Sequence, residues 1–227
     1  RAHIAEPAII RKLMEGQTDD IRPCIHANAS CFAGLRRFGE IACMFNPRTG
    51  REDQWPRLEP TAEYRSVMVV GGGPAGLEAA RVAAKLGHDV VLHERLDVLG
   101  GQVRFIAQTP HRRDYRILTD WLARQARRSG VLVRLESEVT AAMVTAAAPD
   151  VVIVATGAHD TRPRLPGADG ARVLTAREAI ADPGRAGRSV VIGDWDGRYM
   201  AMSVAETLVL RGCLVEIVAN TFYVGED

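Results

Sequence analysis

Three glycines and one carboxylate carry the clearest chemistry in this chain. Gly71, Gly73 and Gly76 stand in the run Val67-Met-Val-Val-Gly71-Gly-Gly73-Pro74-Ala75-Gly76-Leu-Glu-Ala-Ala80. In such a run the first glycine permits a tight turn out of a strand. The second lets the backbone come close to a pyrophosphate, and the third lets the following helix pack on the sheet. The anion then meets the helix N-terminus, where unpaired N–H groups and the helix dipole favour negative charge. Glu94 closes the next apolar run, Val90-Val-Leu-His-Glu94. An acid there accepts hydrogen bonds from the adenosine ribose hydroxyls and repels a 2′-phosphate. Strand, glycine turn, helix, strand and acid in that order predict an adenine dinucleotide site, with FAD as the first expectation and ADP as the alternative.

Two later turns narrow the ligand. Leu99-Gly100-Gly101-Gln102 follows the second strand, and Ala155-Thr156-Gly157 ends the fourth. Small residues at both places let backbone lie along a bound dinucleotide, although each alone reads equally well as an ordinary turn. The expected contact set is Gly71, Gly73, Pro74, Ala75, Gly76, Glu94, Arg95, Gly101, Gln102, Val139, Ala155, Thr156 and Gly157.

A second group of reactive residues precedes the glycines. Cys24, Cys31 and Cys43 fall within 20 residues, and Cys213 lies far away. A disulfide framework does not suit a cytoplasmic chain of this size, and clustered thiols there more often bind a metal or cluster.

The elements that must position these groups follow from periodicity. Pro7 to Glu15 reads as an amphipathic helix, and residues 24–63 as loop with one short helix near Phe32 to Phe38. Strands are expected at Val67–Val70, Asp89–His93, Val131–Leu135 and Val151–Val154, with Val139 in a small antiparallel excursion. Helices are expected at Pro74–Leu86 and Asp114–Ser129, each closed by a glycine. Strands alternating with helices give an α/β fold with a doubly wound parallel sheet of the FAD/NAD(P)-binding type. A second opening of the same kind starts at Ser189, about 120 residues after the first. It has strand Val190–Ile192, helix Arg198–Leu210 and strand Leu214–Val218. The expected division is a Cys-containing segment with connector at 1–63, the FAD- or ADP-binding domain at 64–187, and an incomplete second NAD(P)-like domain at 188–227.

Bulk properties set outer limits. The chain has 227 residues, 47% hydrophobic and 25% charged, with a net charge of +1. That balance is ordinary for a globular domain and points to neither nucleic acid nor an anionic membrane as partner. The arginines between Arg112 and Arg128 read as the solvated face of a helix. No apolar run approaches the roughly 20 residues of a membrane span. The start lacks the apolar core of a signal peptide, and a cytoplasmic location is expected. Both ends read as cuts through a longer protein.

The runs GGGPAGLEAA, HERLDVLGGQ and VVIVATGA together resemble the two-dinucleotide-domain flavoproteins. With the upstream cysteines and the phrase CMFNPRTGRE, the chain resembles one branch in particular. This is the NADH:flavin oxidoreductase family of iron–sulfur flavoproteins related to old yellow enzyme, which includes trimethylamine dehydrogenase, N-methylproline and dimethylglycine demethylases and 2,4-dienoyl-CoA reductase. The resemblance covers essentially the whole chain. It implies an FMN-binding barrel elsewhere in the longer protein, with Arg1 at a position that contacts the FMN phosphate. It further implies a 4Fe-4S segment and two nucleotide-binding domains.

Two departures from the family pattern bear on function. The family shows C-x2-C-x3-C-x11-C, and here Ala27 replaces the second cysteine, leaving Cys24, Cys31 and Cys43 as metal ligands. Either a three-thiolate cluster forms, with water or a neighbour such as His26 on the last iron, or the cluster has been lost. The second nucleotide loop reads Gly193-Asp194-Trp195-Asp196-Gly197, with acids where a pyrophosphate would lie. Tight NAD(P)H binding is not expected there.

The resemblance therefore implies the electron-transfer portion of a flavin-dependent oxidoreductase of the amine-demethylating kind, with an electron acceptor protein or the FMN barrel as partner. An NAD(P)H-dependent dienoyl-CoA or enoate reductase fragment is the alternative, and a non-catalytic ADP- or FAD-binding module is the third reading. His93, His111 and His159 have no ligand spacing and are expected at the surface or in strands. Cys213 is expected to be a small buried residue.

Overall fold

The computed structural model describes residues 1–36, 39–55, 58–195, 197 and 199–225. Elements follow in the order α1 (Ala2–Ala5), α2 (Ile9–Met14), α3 (Cys31–Arg36), β1 (Ser66–Val70), α4 (Pro74–Lys85), β2 (Asp89–His93), α5 (Val103–Ile106), α6 (Asp114–Arg128), β3 (Leu132–Arg134), α7 (Ala141–Ala147), β4 (Val151–Val154), α8 (Ala176–Ala181), β5 (Ser189–Asp194), α9 (Tyr199–Val209) and β6 (Leu214–Ala219). They form two compact units, residues 1–103 with 114–157, and residues 104–113 with 158–227.

The first unit is built on a parallel sheet in the order β3-β2-β1-β4. β1 lies inside the sheet, and Val67, Met68 and Val69 are buried in succession. That burial explains an uninterrupted apolar run where a half-exposed strand would alternate. The register pairs Val70 with His93 on one side and with Val154 on the other, and His93 with Arg134. The carboxyl ends of all four strands therefore form one row. The order reverses between β1 and β4, the switch point at which open α/β sheets take up ligands.

Pro74 opens α4, where its missing N–H costs nothing. Leu77, Ala80 and Ala83 give α4 a buried stripe at helical spacing, and it packs against α6 and the sheet. The buried face of α6 carries Tyr115, Leu118, Trp121, Leu122 and Ala126. Arg113, Arg116, Arg124, Arg127 and Arg128 stand on its solvent side or just ahead of it, as expected for a solvated face.

An ion-pair group ties the N-terminal segment to α4. Arg22 donates to the carbonyl of Phe45 and, at 3.0 Å, to Glu78. Arg81 grips the same carboxylate at 2.7 and 2.8 Å. The Arg22 guanidinium lies 4.8 Å from the Trp121 ring centre and 5.2 Å from that of Phe45. Burial alone would push Glu78 up, but the hydrogen bonds and charges of Arg81 and Arg22 hold it below the usual carboxylate range.

The second unit contains the parallel pair β5-β6. Its core is Ala179, Ile180, Val204 and Leu208, with Phe105, Val190, Ile192 and Val215 packed against them. Residues 104–113 and 158–187 thus join this unit, although the sequence pattern suggested a division at residue 188. Cys213 is half-buried against this core and not fully enclosed.

Two local expectations are corrected. Val139 lies in no strand: the Thr140 hydroxyl accepts from the Met143 N–H at 3.3 Å and starts the alanine-rich α7. The N-terminal helix is confined to Ile9–Met14, with the separate one-turn helix α1 ahead of it at Ala2–Ala5. α3 matches the short helix expected near residue 32, though Arg37 and Phe38 lie outside the described residues.

Candidate functional site

The glycine loop leaves β1 at the row of strand ends, and each glycine is required for a different reason. Gly71 has φ +109°, and a Cβ there would lie 2.3 Å from the Ala155 carbonyl oxygen. A Cβ on Gly76 would lie 1.9 Å from the Gly71 oxygen, so the helix could not pack as it does. Gly73 is different. It caps α4 with no side-chain hydrogen bond, and a Cβ added to it would meet only the Gly101 Cα, at 3.9 Å. Among the described residues no packing demands glycine at 73. A ligand approaching the backbone and the first-turn N–H groups would demand it.

Glu94 is buried, with 7% of its surface exposed. One carboxylate oxygen accepts the Gly72 N–H at 2.7 Å and the other accepts the Leu96 N–H at 3.0 Å. Its backbone N–H donates to Arg134 and its carbonyl accepts from Ser137. The acid therefore braces the loop. Gly72 was not singled out from sequence. A Cβ there would meet Leu99 at 2.5 Å and Glu94 at 3.0 Å, and the run of three glycines was its signal.

The remaining expected contacts gather at the same edge. The Gly100 N–H donates to the Gly72 carbonyl at 2.9 Å, which ties the Gly-Gly turn to the loop. Gly101 then passes Gly73 so closely that its Cβ would lie 3.0 Å from the Gly73 Cα. The Ala155 N–H donates to the Val70 carbonyl, and Thr156 and Gly157 continue from β4. Gln102 reaches the Gly157 position, 3.5 Å from where a Cβ would stand. Pro74, Ala75 and Gly76 form the first turn of α4, Arg95 is exposed beside Glu94, and Val139 is half-buried after β3. Backbone without side chains, a helix N-terminus and a braced carboxylate fit a pyrophosphate joined to a ribose.

His93 ends β2 and is buried, its Nδ1 2.8 Å from the Ser137 hydroxyl. Burial, with the charge of Arg134 second, holds its pKa below the ordinary histidine value. His111 is exposed beside Glu206, and His159 is exposed as well.

Cys24, Cys31 and Cys43 line one small cavity with His26, Ala27 and Ser30. The Phe45 N–H points at the Cys43 sulfur at 3.4 Å. Among the described residues no three His, Cys, Asp or Glu side chains converge closely enough to hold a single metal ion. The thiols instead surround a space. His26 is turned outward with φ +55°, its Nδ1 2.9 Å from Asp114. The methyl of Ala27 lines the same cavity, at the position where the family pattern has a cysteine.

In the second unit, the loop after β5 is occupied by its own side chains. Asp194 is buried and accepts the Gly197 N–H at 3.0 Å. The Trp195 ring crosses Gly193 so closely that a Cβ there would lie 2.0 Å from it. Asp196 lies outside the described residues. At α9, the Arg112 guanidinium stacks 4.3 Å from the Tyr199 ring centre.

A family model described as pyridine nucleotide-disulphide oxidoreductase matches residues 42–148 and 65–224. The chain belongs to this family. It is 40% identical to a probable N-methylproline demethylase of Rhizobium meliloti, over 96% of this chain and 32% of that protein. It is 37% identical to a multifunctional alkene reductase/demethylase of Caballeronia cordobensis, over 96% of this chain and 31% of that protein. Histamine dehydrogenase from Rhizobium sp. 4-9 superposes with a TM-score of 0.91 at 30% identity, over 99% of this chain and 37% of the other. These matches bear out the expected kinship with amine-demethylating flavoproteins and the α/β dinucleotide-binding fold. The chain spans about a third of the length of the relatives it matches. Among the described residues no helix is long and apolar enough to cross a membrane.

Proposed function

We propose that this chain is the electron-transfer portion of a flavin-dependent amine-demethylating oxidoreductase, and that it holds FAD or ADP at the rim of its first sheet. The observation that carries the site is Gly73, where the protein leaves room for a side chain and has none. Gly71, Gly76 and Gly101 shape the backbone, and Ala75 and Gly76 present N–H groups to the pyrophosphate after Pro74. Glu94 receives the ribose, beside Arg95. Gln102, Val139, Ala155, Thr156 and Gly157 flank the dinucleotide. The bound flavin supplies redox chemistry, and these residues bind and orient it. The Glu94 carboxylate at this rim is engaged by the Gly72 and Leu96 amides, and substrate chemistry is assigned to an FMN barrel in the rest of the longer protein. That barrel, or an electron acceptor protein, is the redox partner of this chain. Location in the cytoplasm is part of the same reading.

The second loop supports demethylase over NAD(P)H-dependent reductase. Its Gly197 N–H is committed to Asp194, and the face of Gly193 is covered by Trp195. A reductase that takes hydride at this unit would need those donors for a pyrophosphate. The test is turnover by the longer protein. An N-methylated amine, water and an oxidised acceptor should give the demethylated amine, formaldehyde and reduced acceptor. Bleaching of the flavin by NADPH without any response to N-methylated amines would establish the reductase instead.

A further inference from the structure

We propose that His93 and Ser137 are positioning residues for the dinucleotide site, holding Glu94 in place through a contact that lasts only while the His93 ring is neutral. The inference rests on the reading of this rim as a dinucleotide site and adds what makes its affinity respond to pH.

Backbone hydrogen bonds clasp the segment after β3 onto the segment that carries Glu94. The Glu94 N–H donates to the Arg134 carbonyl at 2.9 Å, the Ser137 N–H to the Glu94 carbonyl at 2.9 Å, and the Glu136 N–H to the Leu96 carbonyl at 3.0 Å. A further bond joins side chains, the Ser137 hydroxyl and His93 Nδ1, at 2.8 Å. Glu136 makes this turn with φ +51°, a left-handed backbone that residues with a side chain seldom adopt. His93 is tied to the glycine loop as well, since its carbonyl accepts the Gly71 N–H at 2.8 Å. One histidine thus stands between the turn that holds Glu94 and the loop that Glu94 braces.

The surroundings make the charge of the ring decisive. His93 is buried. Its register partners are the apolar Val70 on β1 and the cationic Arg134 on β3. Glu94, next along the chain, directs its carboxylate to Gly72 and Leu96, and Glu136 is exposed. Burial first and Arg134 second therefore oppose a proton on the ring. A ring that gains one must turn toward water, which releases Ser137 and loosens the clasp on Glu94.

The experiment measures binding of adenosine diphosphate ribose to the purified protein, freed of nucleotide, by calorimetry from about pH 7.5 to about pH 5. Both phosphates of this probe are esterified, so it takes up no proton in that range. The unsubstituted protein should bind it about tenfold more weakly at the acid end. His93→Gln keeps a neutral side chain that can still meet Ser137, and should bind with one affinity throughout. Ser137→Ala should bind more weakly at neutral pH and show a smaller acid step, and Ser137→Thr should restore both. The ring itself gives a readout without substitution. If protonation weakens binding, binding must oppose protonation, so saturating probe should lower the His93 pKa followed by nuclear magnetic resonance.

An affinity that does not change with pH, the same acid step in His93→Gln, or a ring pKa that stays or rises on saturation would overturn the inference and leave the dinucleotide site standing. So would Ser137→Ala binding as tightly as the unsubstituted protein. No binding at any pH would overturn the dinucleotide reading, and the inference with it.

Discussion

The carboxylate of Glu94 and the backbone amide of Gly72 lie 2.7 Å apart, so the acid that follows β2 also fixes the glycine loop that follows β1. Through the other carboxylate oxygen, Glu94 holds Leu96 as well. One residue thereby shapes the loop proposed to seat the phosphates and is the proposed acceptor for the sugar. Glu94→Ala should weaken ADP binding by about 1–3 kcal/mol and lower the melting temperature, because two buried N–H groups lose a charged acceptor. Calorimetric titration with ADP and a thermal melt check the two effects. Unchanged affinity would show that Glu94 is a brace only.

The glycines separate folding from binding. Gly76→Ala places a methyl 1.9 Å from a backbone oxygen and should cost about 3 kcal/mol of stability. Gly73→Ala meets nothing closer than 3.9 Å in the protein. Its unfolding free energy should stay within about 0.5 kcal/mol of the original. Its affinity for ADP should nonetheless fall about tenfold or more, as a methyl enters the path of the pyrophosphate. Denaturant melts paired with ADP titrations of both variants give the contrast.

Glu78 neutralises two buried guanidinia at once, Arg22 and Arg81. Glu78→Gln should destabilise the protein by about 3 kcal/mol, since both cations would stay buried without a counter-charge. The carboxylate is held below its ordinary pKa, so the unfolded state binds its proton first as pH falls. Its stabilisation is therefore complete above the unfolded value of about 4.3 and is lost as pH drops through the lower folded value. Urea melts between neutral and acidic pH read this loss, which the Glu78→Gln variant should not show.

His93 gives a second acid-sensitive step at higher pH. Its folded pKa is depressed, chiefly by burial, so protonation favours the unfolded chain. Stability from the neutral ring is fully present above about 6.5 and declines as pH falls below that value toward the folded pKa. His93→Gln should flatten stability between neutral pH and the onset of carboxylate titration. A slope equal to that of the original protein would assign the step elsewhere.

The loop, its helix and the acid were legible because each depends on local backbone demands: a turn at Gly71, contact at Gly76, and a carboxylate one residue past His93, the register partner of Val70. The parallel strands were legible because β1 is an apolar run that ends at Gly71 and β2 one that follows Gly87. What sequence concealed arises from packing between distant segments. The grip of Arg22 on Glu78 spans 56 residues, and no spacing rule announces it. The bond from Asp194 to Gly197 showed why the second loop is closed, where charge alone suggested only repulsion. The α7 helix was hidden for a different reason. Its N-cap, Thr140, follows a valine that reads as strand, and its alanines carry little periodicity.

Release of bound nucleotide tests the ligand of the first glycine loop most directly. Purified protein should be denatured, and the supernatant quantified by chromatography and mass spectrometry. About one equivalent of FAD or ADP per chain is expected, with the two distinguished by mass. Absence of any adenine nucleotide, together with no heat on titration with either compound, would contradict the assignment of Gly71–Gly76 and Glu94.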